Sequence, residues 1–516
     1  MDDTRTAAEG EDWGGFGRPQ LDDPDVQNLS RVGVIDVGSN SVRLVVFDGA
    51  ARSPAYFYNE KVMAGLGAGL GETGRLNPEG RLRALSAIRR FTALADRLGI
   101  SPLTTVATAA MRDAQDGPEF AAQIERETGV SLMIVDGAEE ARLSAQGVLL
   151  GWPGSYGLVC DIGGSSMELA RLSGGEVGDR LTSPLGPLKL AAVAGGRKGL
   201  ETHVRGILED LFHNMGATTG ERLFLVGGSW RAFARLDMDR TNYPLHVLHE
   251  YRMKPADIGR TAEHIRKHDL AELRARTGIS DARMSLVPLA SVVLTELVRR
   301  FKPKDITISS YGIREGMLYE AMTPELRARD PLIESARFAE AKDARLPGFG
   351  RVLYDFVKPL FPRADWQKKR IIRAACLLHD VSWRAHPDYR AEVTFDNATR
   401  ANLGGLKHGE RIFLGLALMH RYSSKREGTV YDRLFNLISP EEQAEAEVLG
   451  RAMRFGAMLW MATDERPGKL AWHPKKKILN LTLSEAARPL FGEVADARLK
   501  ALAGALGGTC EVSFAK

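Results

Sequence analysis

Short apolar runs alternate with amphipathic stretches along residues 31–325. The apolar runs are bounded by glycine or polar residues and predict strands, whereas apolar residues at helical spacing predict helices. We place strands at 103–107, 131–135, 223–226 and 305–309, and helices near 119–127, over 138–150 and after residue 312. Strands that alternate with helices in this way are typical of α/β domains.

One predicted helix has clear ends in the sequence. Asn77 is a favoured N-cap residue, Pro78 is suited to the first turn, and Gly99 is suited to the end. Apolar residues recur along one side of this helix, which we expect to face the core. They are Leu82, Leu85, Ile88, Phe91 and Leu98.

The same short phrase ends two apolar runs in different parts of the chain. Asp36 to Ser41 and Asp161 to Ser166 both read Asp-x-Gly-x-x-Ser, and each is followed by a second apolar run. Each therefore predicts a strand, a tight glycine turn and a returning strand. The two phrases lie 125 positions apart, which indicates a duplicated domain. A third glycine turn, at 227–229, follows the predicted strand at 223–226.

Glycine turns of this kind are suited to phosphate, because their successive backbone N–H groups form a concavity that binds phosphate oxygens. We predict phosphate-binding residues in all three turns: Gly38, Ser39, Asn40, Ser41, Gly163, Gly164, Ser165, Ser166, Gly227, Gly228 and Ser229. Asp161 and Glu168 flank the second turn and repel phosphate unless a divalent cation lies between them. Hard oxygen ligands favour Mg²⁺, so we expect Mg²⁺ at Asp161 and Glu168, with Asp36 as a third carboxylate.

Composition describes an ordinary globular chain of 516 residues, 44% hydrophobic and 26% charged, which is long enough for about three to four domains. The net charge of +4 is close to balanced, so a protein that handles a polyanion has to gather its cations locally. We expect no nucleic-acid partner. The three cysteines form neither a disulfide framework nor a metal-binding spacing, which suits the cytoplasm.

No apolar run is long enough to span a membrane, so we expect no membrane partner. The N-terminus is acidic and glycine-rich and lacks the pattern of a secretion signal. We interpret residues 1–30 as a disordered tail.

Together these motifs resemble the exopolyphosphatase/guanosine pentaphosphate phosphatase (Ppx/GppA) family, over roughly residues 31–320. The matching segments are Asp36–Arg43, Ala107-Thr108 with Arg112, Gly137–Leu143, the Asp161 turn, Gly227-Gly228 and Tyr311–Gly316. The resemblance implies an α/β fold with duplicated actin-like (ribonuclease H-like) domains, and a homodimer. We divide the chain into actin-like domains at 31–150 and 151–325, a mostly helical HD-like domain at 326–475 and a small α+β segment at 476–516.

The resemblance also assigns roles. Glu140 matches the catalytic glutamate of the family, which positions and deprotonates a water; acids in a first helical turn can otherwise simply offset the helix dipole. Arg112 and Arg43 are candidates to neutralise phosphate oxygens, since a guanidinium fork matches phosphate geometry. Arg314 has an equal claim as a salt-bridge residue, and we do not count it as catalytic.

Two positions depart from the family pattern. Ser165 stands where the second turn usually has a third glycine, so its backbone is strained if that position needs a positive φ. Asp116 stands where the family commonly has asparagine, which puts the substrate contacts of that region in question.

The C-terminal half carries a basic run on a predicted helix over 362–375. We predict that it lines a channel for a polyanion; a solvated helix face is the alternative. Its cations are Lys368, Lys369, Arg370 and Arg373. His379-Asp380, with His408 and His420 downstream, resembles the remnant of an HD phosphohydrolase site that lacks an upstream histidine. We expect this helical region to shape a substrate channel rather than to bind metal.

We therefore expect a Mg²⁺-dependent hydrolase that removes terminal phosphates from inorganic polyphosphate. A phosphohydrolase acting on guanosine pentaphosphate (pppGpp) would use the same catalytic residues and is the close alternative. Two further alternatives are less favoured. A kinase of the same superfold is one, because Glu140 supplies a base for water. A non-catalytic sensor of guanosine tetraphosphate is the other, because Glu140, Asp161 and Glu168 are intact.

Overall fold

The structure of the chain is a computed structural model, which describes residues 31–48, 52–216, 219–424, 428–460, 462 and 468–515. The predicted N-terminal tail at 1–30 lies outside these residues. Among the described residues, no helix is both long and apolar enough to cross a bilayer.

Two sheets repeat one topology. The first contains β1 (Val32–Val37), β2 (Val42–Phe47), β3 (Tyr56–Val62), β4 (Leu103–Ala107) and β5 (Met133–Ile134), in the order β3-β2-β1-β4-β5. The second contains β6 (Gly157–Ile162), β7 (Met167–Ser173), β8 (Glu176–Ser183), β9 (Arg222–Val226), β10 (Arg252–Met253) and β11 (Asp305–Ile308), in the order β8-β7-β6-β9-β11-β10. In both sheets an antiparallel meander continues into parallel strands, so the predicted duplication is present.

The two glycine turns have the same hydrogen bond. Gly38 N donates to Ser41 O at 3.0 Å, and Gly163 N donates to Ser166 O at 3.0 Å. The residues that face one another across the hairpins differ, however. Asp36 lies opposite Arg43 in the first hairpin, whereas Asp161 lies opposite Glu168 in the second. The duplicated element therefore pairs an acid with a base in one lobe and two acids in the other.

Helices pack against both sheets. In the first lobe they are Leu70–Thr73, Pro78–Arg97, Ala109–Asp113 and Gly117–Thr128, and Gly137–Gly151 follows them in the chain. In the second they are Pro187–Leu190, Gly196–Asn214, Gly228–Thr241, Pro255–Lys267, Leu270–Thr277, Asp281–Met284, Val287–Phe301 and Ile313–Glu320. The prediction of Asn77 as an N-cap is confirmed, since its side chain accepts from Gly80 N at 2.8 Å. Leu82 was wrongly assigned to the buried face: it is 71% exposed, whereas Gly80 before it and Ala84 after it are buried.

Two helices cross between the lobes. They are Gly137–Gly151, hereafter the Glu140 helix, and Ile313–Glu320. Glycine permits the crossing, because a Cβ at Gly316 would lie 1.7 Å from Leu143 O and one at Gly147 would lie 2.3 Å from Gly312 O. The Glu140 helix also packs on β7 and β8. It therefore precedes our predicted domain boundary in sequence but lies against the second sheet in space.

The C-terminal half is mainly helical. Its helices are Pro324–Ala328, Pro331–Asp343, Phe349–Val357, Trp366–Leu378, Arg390–Arg400, His408–His420, Asp432–Phe435 and Pro440–Leu459, with a 3-10 turn at Lys358–Leu360. A last sheet, in the order β12-β13-β14, follows. It consists of β12 (Gly468–His473), β13 (Ile478–Ser484) and β14 (Thr509–Ala515), with a 3-10 turn at Glu485–Leu490 and the helix Glu493–Ala505. One apolar core joins this sheet to the helices, and our predicted boundary at 475 falls in the β12–β13 turn.

Candidate active site

A cavity of about 230 Å³ lies where the three glycine turns meet. Most of the predicted site residues line it. They are Asp36, Gly38, Ser39, Asn40, Ser41, Arg43, Glu140, Asp161, Gly163, Gly164, Ser166, Gly227, Gly228 and Ser229. The predicted residues Arg112, Ser165 and Glu168 are not part of the lining, but each contacts or directly faces a residue that is.

The turns of the two lobes touch each other. Ser165 Oγ donates to Ser39 Oγ at 3.1 Å, so the serine at the departure from the family pattern joins the two lobes. Ser165 is not among the described non-glycine residues with positive φ, so the strain considered for this position does not arise. Gly186 lies beneath the turn, where a Cβ would be 2.2 Å from the carbonyl carbon of Ser165.

The third turn requires glycine at its first position. Gly227 has a φ of 111°, and a Cβ there would lie 2.5 Å from Ile162 O and 2.9 Å from Asp161 Oδ1. The turn begins the helix Gly228–Thr241, whose N-terminal backbone N–H groups thus lie beside the second hairpin. An N-terminus of this kind favours an anion.

Glu140 is buried one turn into its helix, which Asp136 caps by accepting from Glu139 N. Arg112 Nη1 donates to Glu140 Oε2 at 3.2 Å and to Val135 O at 3.1 Å, so the arginine holds the carboxylate in place. Burial, followed by the charge of Asp161, raises the pKa of Glu140 to about 8, against the opposing effect of Arg112. A carboxylate whose pKa lies near neutrality is suited to accept a proton from water.

Three more carboxylates lie near Glu140; Glu168 is buried, and Asp36 and Asp161 are half-buried. Ser144, one turn further along the Glu140 helix, donates to Asp161 Oδ2. Thr182 donates to Glu168 Oε1 at 3.1 Å, while Glu168 Oε2 is buried without a hydrogen-bond partner. Burial is the main cause that raises the pKa of Asp36, Asp161 and Glu168. Positive charge beside these groups would favour their ionised forms.

The donor set fits a hard cation in part. Asp161 lines the cavity, and the unpaired oxygen of Glu168 belongs to the residue that faces Asp161 across the hairpin. In the part of the chain that the structure describes, however, no group of three or more acidic, histidine or cysteine side chains is arranged to hold a metal ion. A site with only one or two carboxylates, such as Asp161 and Glu168, still fits Mg²⁺, because this ion commonly takes one or two carboxylates and completes its shell with water and substrate phosphate.

Several cations that we had not assigned to the site line the same cavity. They are Lys61, Arg231, Arg283 and Arg314, in addition to the predicted Arg43. Arg314 Nη1 lies 3.7 Å from Asp36 Oδ2. Arg314 therefore forms the salt bridge considered for it and also lines the cavity. Burial and then the charge of Arg283 lower the pKa of Lys61 to about 8. Arg314 belongs to the matching segment Tyr311–Gly316, and Arg231 closely follows the third glycine turn, whereas Lys61 and Arg283 had no signal in the sequence.

The predicted polyanion channel is not present as one exposed basic face. Arg370 is buried, with its guanidinium bound to Asp330 and, at 2.6 Å, to Gly405 O. Arg373 is also buried. Lys368 lies 3.3 Å from Glu445 and over the ring of Phe413, and of the four cations Lys369 alone is exposed. The helix turns two of them into the core, where they bind structural partners.

The HD-like residues also make structural contacts. Asp380 accepts from Arg345 Nε at 2.9 Å and Nη2 at 2.6 Å, so a guanidinium neutralises it. His379 Nδ1 lies 2.8 Å from Cys376 O. His408 Nδ1 lies 2.8 Å from the hydroxyl of Tyr243, which belongs to the second lobe. These side chains hold the helical region together and dock it on the lobe.

Asp116 is likewise structural. Its carboxylate accepts from Leu76 N at 2.9 Å and from Arg81 Nη1 at 3.0 Å, and it does not line the cavity. The position that departs from the family pattern therefore ties the helix Pro78–Arg97 to its neighbour. The described cysteines are all free thiols.

Comparisons with known proteins agree with this architecture. A model of the Ppx/GppA phosphatase family matches residues 45–325, and one described as "Exopolyphosphatase, C-terminal" matches residues 345–512. Exopolyphosphatase 1 of Mycobacterium tuberculosis is 33% identical over 163 residues, or 31% of this chain and 47% of that protein. The chain thus spans about half the length of that relative. Exopolyphosphatase 2 of the same organism is 26% identical over 316 residues, or 56% of this chain and 98% of that protein.

A solved structure shows the same fold. The crystal structure of an exopolyphosphatase from Cytophaga hutchinsonii has a TM-score of 0.51 and 24% identity, and the match covers 56% of this chain and 97% of that one. Since the first family model matches more than half of the sequence, the chain belongs to the Ppx/GppA phosphatase family.

Proposed function

We propose that the protein is an exopolyphosphatase, which hydrolyses the terminal phosphate of inorganic polyphosphate with Mg²⁺ and uses Glu140 as its general base. One observation carries the proposal: Glu140 and Asp161 line the same cavity as three glycine turns and the surrounding cations. Phosphoryl transfer depends chiefly on positioning and charge neutralisation, which these groups supply.

The residues of the cavity divide the work of such a reaction. Backbone N–H groups of the turns bind the terminal phosphate, and the guanidinium groups of Arg43 and Arg314 neutralise its oxygens. Glu140 accepts a proton from the attacking water, while Arg112 fixes the orientation of the carboxylate. Substrate in the cavity excludes bulk water, which strengthens each of these electrostatic contacts.

Asp161 and Glu168 would hold the Mg²⁺, which supplies charge neutralisation for the phosphate oxygens when it is bound. The unpaired Oε2 of Glu168 and the raised pKa values of both carboxyls support a cation at this point. Added positive charge lowers the pKa of Glu140 as well, so the base would ionise when the site is loaded.

The lining favours inorganic polyphosphate over pppGpp. None of the described residues that line the cavity is aromatic, so the cavity offers no ring on which a guanine could stack. Cations from both lobes instead surround it, which suits a chain made only of phosphates. Two relatives named as exopolyphosphatases agree with this choice.

The proposal is tested by phosphate release from polyphosphate and from pppGpp, measured side by side with Mg²⁺ and with EDTA. We expect Mg²⁺-dependent release, with the higher kcat/KM on polyphosphate. Asp161→Asn should remove this activity, whereas the exposed Asp179→Asn on β8 serves as a matched control and should retain it. Release that is equal in Asp161→Asn and the wild type would refute the assignment, and a higher kcat/KM on pppGpp would select the alternative substrate.

A further inference from the structure

The lining of the cleft includes a lysine, Lys61, among its arginines. Lys61 lies on the edge strand β3 and is exposed, so a solute that enters the cavity can reach its amine. It lies opposite Arg43 in the register of the first sheet, and like charges that face one another in this way repel. Lys61 makes no salt bridge or hydrogen bond with a residue that the structure describes. Its amine is therefore available for chemistry.

The surroundings of Lys61 favour the unprotonated form of this amine. Arg43 lies between Lys61 and Asp36 across the neighbouring strands, so the aspartate does not pair with the lysine. Burial, followed by the charges of Arg283 and Arg43, lowers the pKa of Lys61 to about 8. Roughly a quarter of the amines are then unprotonated at pH 7.5, against about 0.1% for an ordinary lysine. An unprotonated amine is a nucleophile.

The same cavity contains the glycine turns that we assign to phosphate. Gly38, Gly163 and Gly227 line it together with Lys61. Its volume of about 230 Å³ is below the roughly 300–1,000 Å³ of pockets for drug-sized ligands, so it suits a small phosphate compound. A phosphate group bound at the turns confines whatever it carries within walls to which Lys61 belongs. A carbonyl group bonded to that phosphate is thus presented to a nucleophile.

We propose that Lys61 is a site of covalent modification, at which the cleft directs acylation by an acyl phosphate, the mixed anhydride of a carboxylic acid and phosphoric acid. The glycine turns bind the phosphate group, and the lone pair of Lys61 Nζ attacks the carbonyl carbon. The C–O bond to the phosphate breaks, inorganic phosphate leaves with the bonding electron pair, and the proton of the amine passes to water. The products are an amide on Lys61 and one phosphate, and no oxidant or reductant takes part.

Acylation would weaken the binding of polyphosphate in the cleft. The amide is neutral, so the modification removes one positive charge from the lining and adds the bulk of the acyl group. A small phosphate compound would in this way regulate a site that acts on a long one. The inference rests on the phosphate-binding part of the proposed function and adds a second class of reactant to it.

Quantitative mass spectrometry of the full-length protein, treated with acetyl phosphate and Mg²⁺ at pH 7.5, tests the proposal. Lys469 is the internal control, because it is also an exposed lysine on a strand but lies opposite Thr482 rather than an arginine. We expect acetylation of Lys61 at least about tenfold faster than that of Lys469, since the cavity holds the two reactants together.

Two further treatments separate direction by the cleft from the general reactivity of the amine. Acetic anhydride carries an acetyl group without phosphate and should show a smaller preference for Lys61 over Lys469. Excess inorganic phosphate should slow the acetylation of Lys61 by acetyl phosphate, because it competes for the glycine turns, and should leave Lys469 unaffected.

Phosphate release from polyphosphate gives the functional result. Treatment with acetyl phosphate should raise the KM of the wild type about tenfold, because one charge-assisted contact with phosphate is lost. Lys61→Arg keeps the charge but has no amine to acylate, so the treated variant should retain the KM of its own untreated form. Melting curves verify that both proteins remain folded.

Equal acetylation rates of Lys61 and Lys469 would overturn the inference, as would an equal preference for Lys61 with acetyl phosphate and with acetic anhydride. A KM that rises as much in treated Lys61→Arg as in the treated wild type would also contradict it. Phosphate release from polyphosphate without acetylation of Lys61 would leave the proposed function standing and remove this inference alone. Acetylation of Lys61 that inorganic phosphate suppresses, in a protein that releases no phosphate from polyphosphate, would support the inference and refute the proposed function.

Discussion

Ser39 and Ser165, which occupy the glycine turns of the two duplicated lobes, hydrogen-bond to each other at 3.1 Å. The chain thus closes its cleft with the same element used twice. The residue opposite the aspartate differs between the copies: Arg43 faces Asp36, and Glu168 faces Asp161. We assign phosphate neutralisation to the first pair and cation binding to the second.

The raised pKa of Glu168 predicts how stability depends on pH. Burial, followed by the charges of Glu140 and Asp161, raises the pKa of Glu168 in the native state well above the usual glutamate value of 4.5. The native state therefore keeps this carboxyl protonated at pH values at which the unfolded chain has already ionised it. The native state therefore loses stability from this group as the pH rises above 4.5. We expect Glu168→Gln to melt above the wild type at pH 8 in EDTA, with a difference that shrinks toward pH 4.5.

Glu176→Gln, at an exposed position on the neighbouring strand β8, is the control and should follow the wild type at every pH. Saturating Mg²⁺ should reduce the advantage of Glu168→Gln, because a cation stabilises the ionised carboxyls of the wild type. A difference in melting temperature between Glu168→Gln and the wild type that stays constant from pH 4.5 to 8 would contradict the buried, protonated state of Glu168.

The crossing of the two central helices predicts the effect of one methyl group. In Gly316→Ala the new Cβ meets Leu143 O at 1.7 Å, which forces the Glu140 helix to shift. We expect a loss of roughly 3 kcal/mol in stability by overpacking, together with a large loss of phosphate release. The measurement is denaturant-induced unfolding together with the activity assay.

Gly206→Ala is the matched substitution, because Gly206 lies inside the helix Gly196–Asn214 and a Cβ added there would have nothing within 4 Å. The higher helix propensity of alanine should stabilise this helix by about 0.5–1 kcal/mol. If the two substitutions had the same effect, close contact at the crossing would not control the site.

The buried side of the basic run predicts a contrast between neighbouring residues. Arg370→Ala leaves Asp330 without its cationic partner in a largely buried setting and should cost roughly 3 kcal/mol. Lys369→Ala removes an exposed cation and should change stability by less than about 0.5 kcal/mol. Thermal unfolding of both variants is the measurement, and similar melting temperatures would show that Arg370 is not a structural residue.

The sequence was sufficient for the parts of this site that depend on local pattern. A glycine turn between two apolar runs predicts its own hairpin, and its recurrence predicted the second lobe. The crossing of the two helices could not be predicted from the sequence, because it depends on contacts between residues that are distant in sequence, such as Gly316 and Leu143. Lys61 and Arg283 were missed because an isolated cation on a strand or helix resembles any surface residue.

Residues that the sequence assigned to the wrong face of a helix have a similar cause. Arg370 and Arg373 belong to a run of cations that is typical of an exposed helix face, yet the fold supplies a buried acid at Asp330 for the first of them. Leu82 continues an apolar spacing, but no neighbouring element covers it. Helical periodicity indicates which residues share a face, and only the tertiary packing determines whether that face is covered.

The most direct test of the proposed mechanism compares Glu140→Gln with Glu139→Gln in phosphate release from polyphosphate under single-turnover conditions with Mg²⁺. The two glutamates are adjacent, but Glu140 lines the cavity and Glu139 pairs with Arg142 at 2.6 Å outside it. We predict a loss of about 10²–10⁴-fold in rate for Glu140→Gln with polyphosphate binding retained, and a rate close to the wild type for Glu139→Gln. A folded Glu140→Gln protein that releases phosphate at the wild-type rate would contradict the central claim.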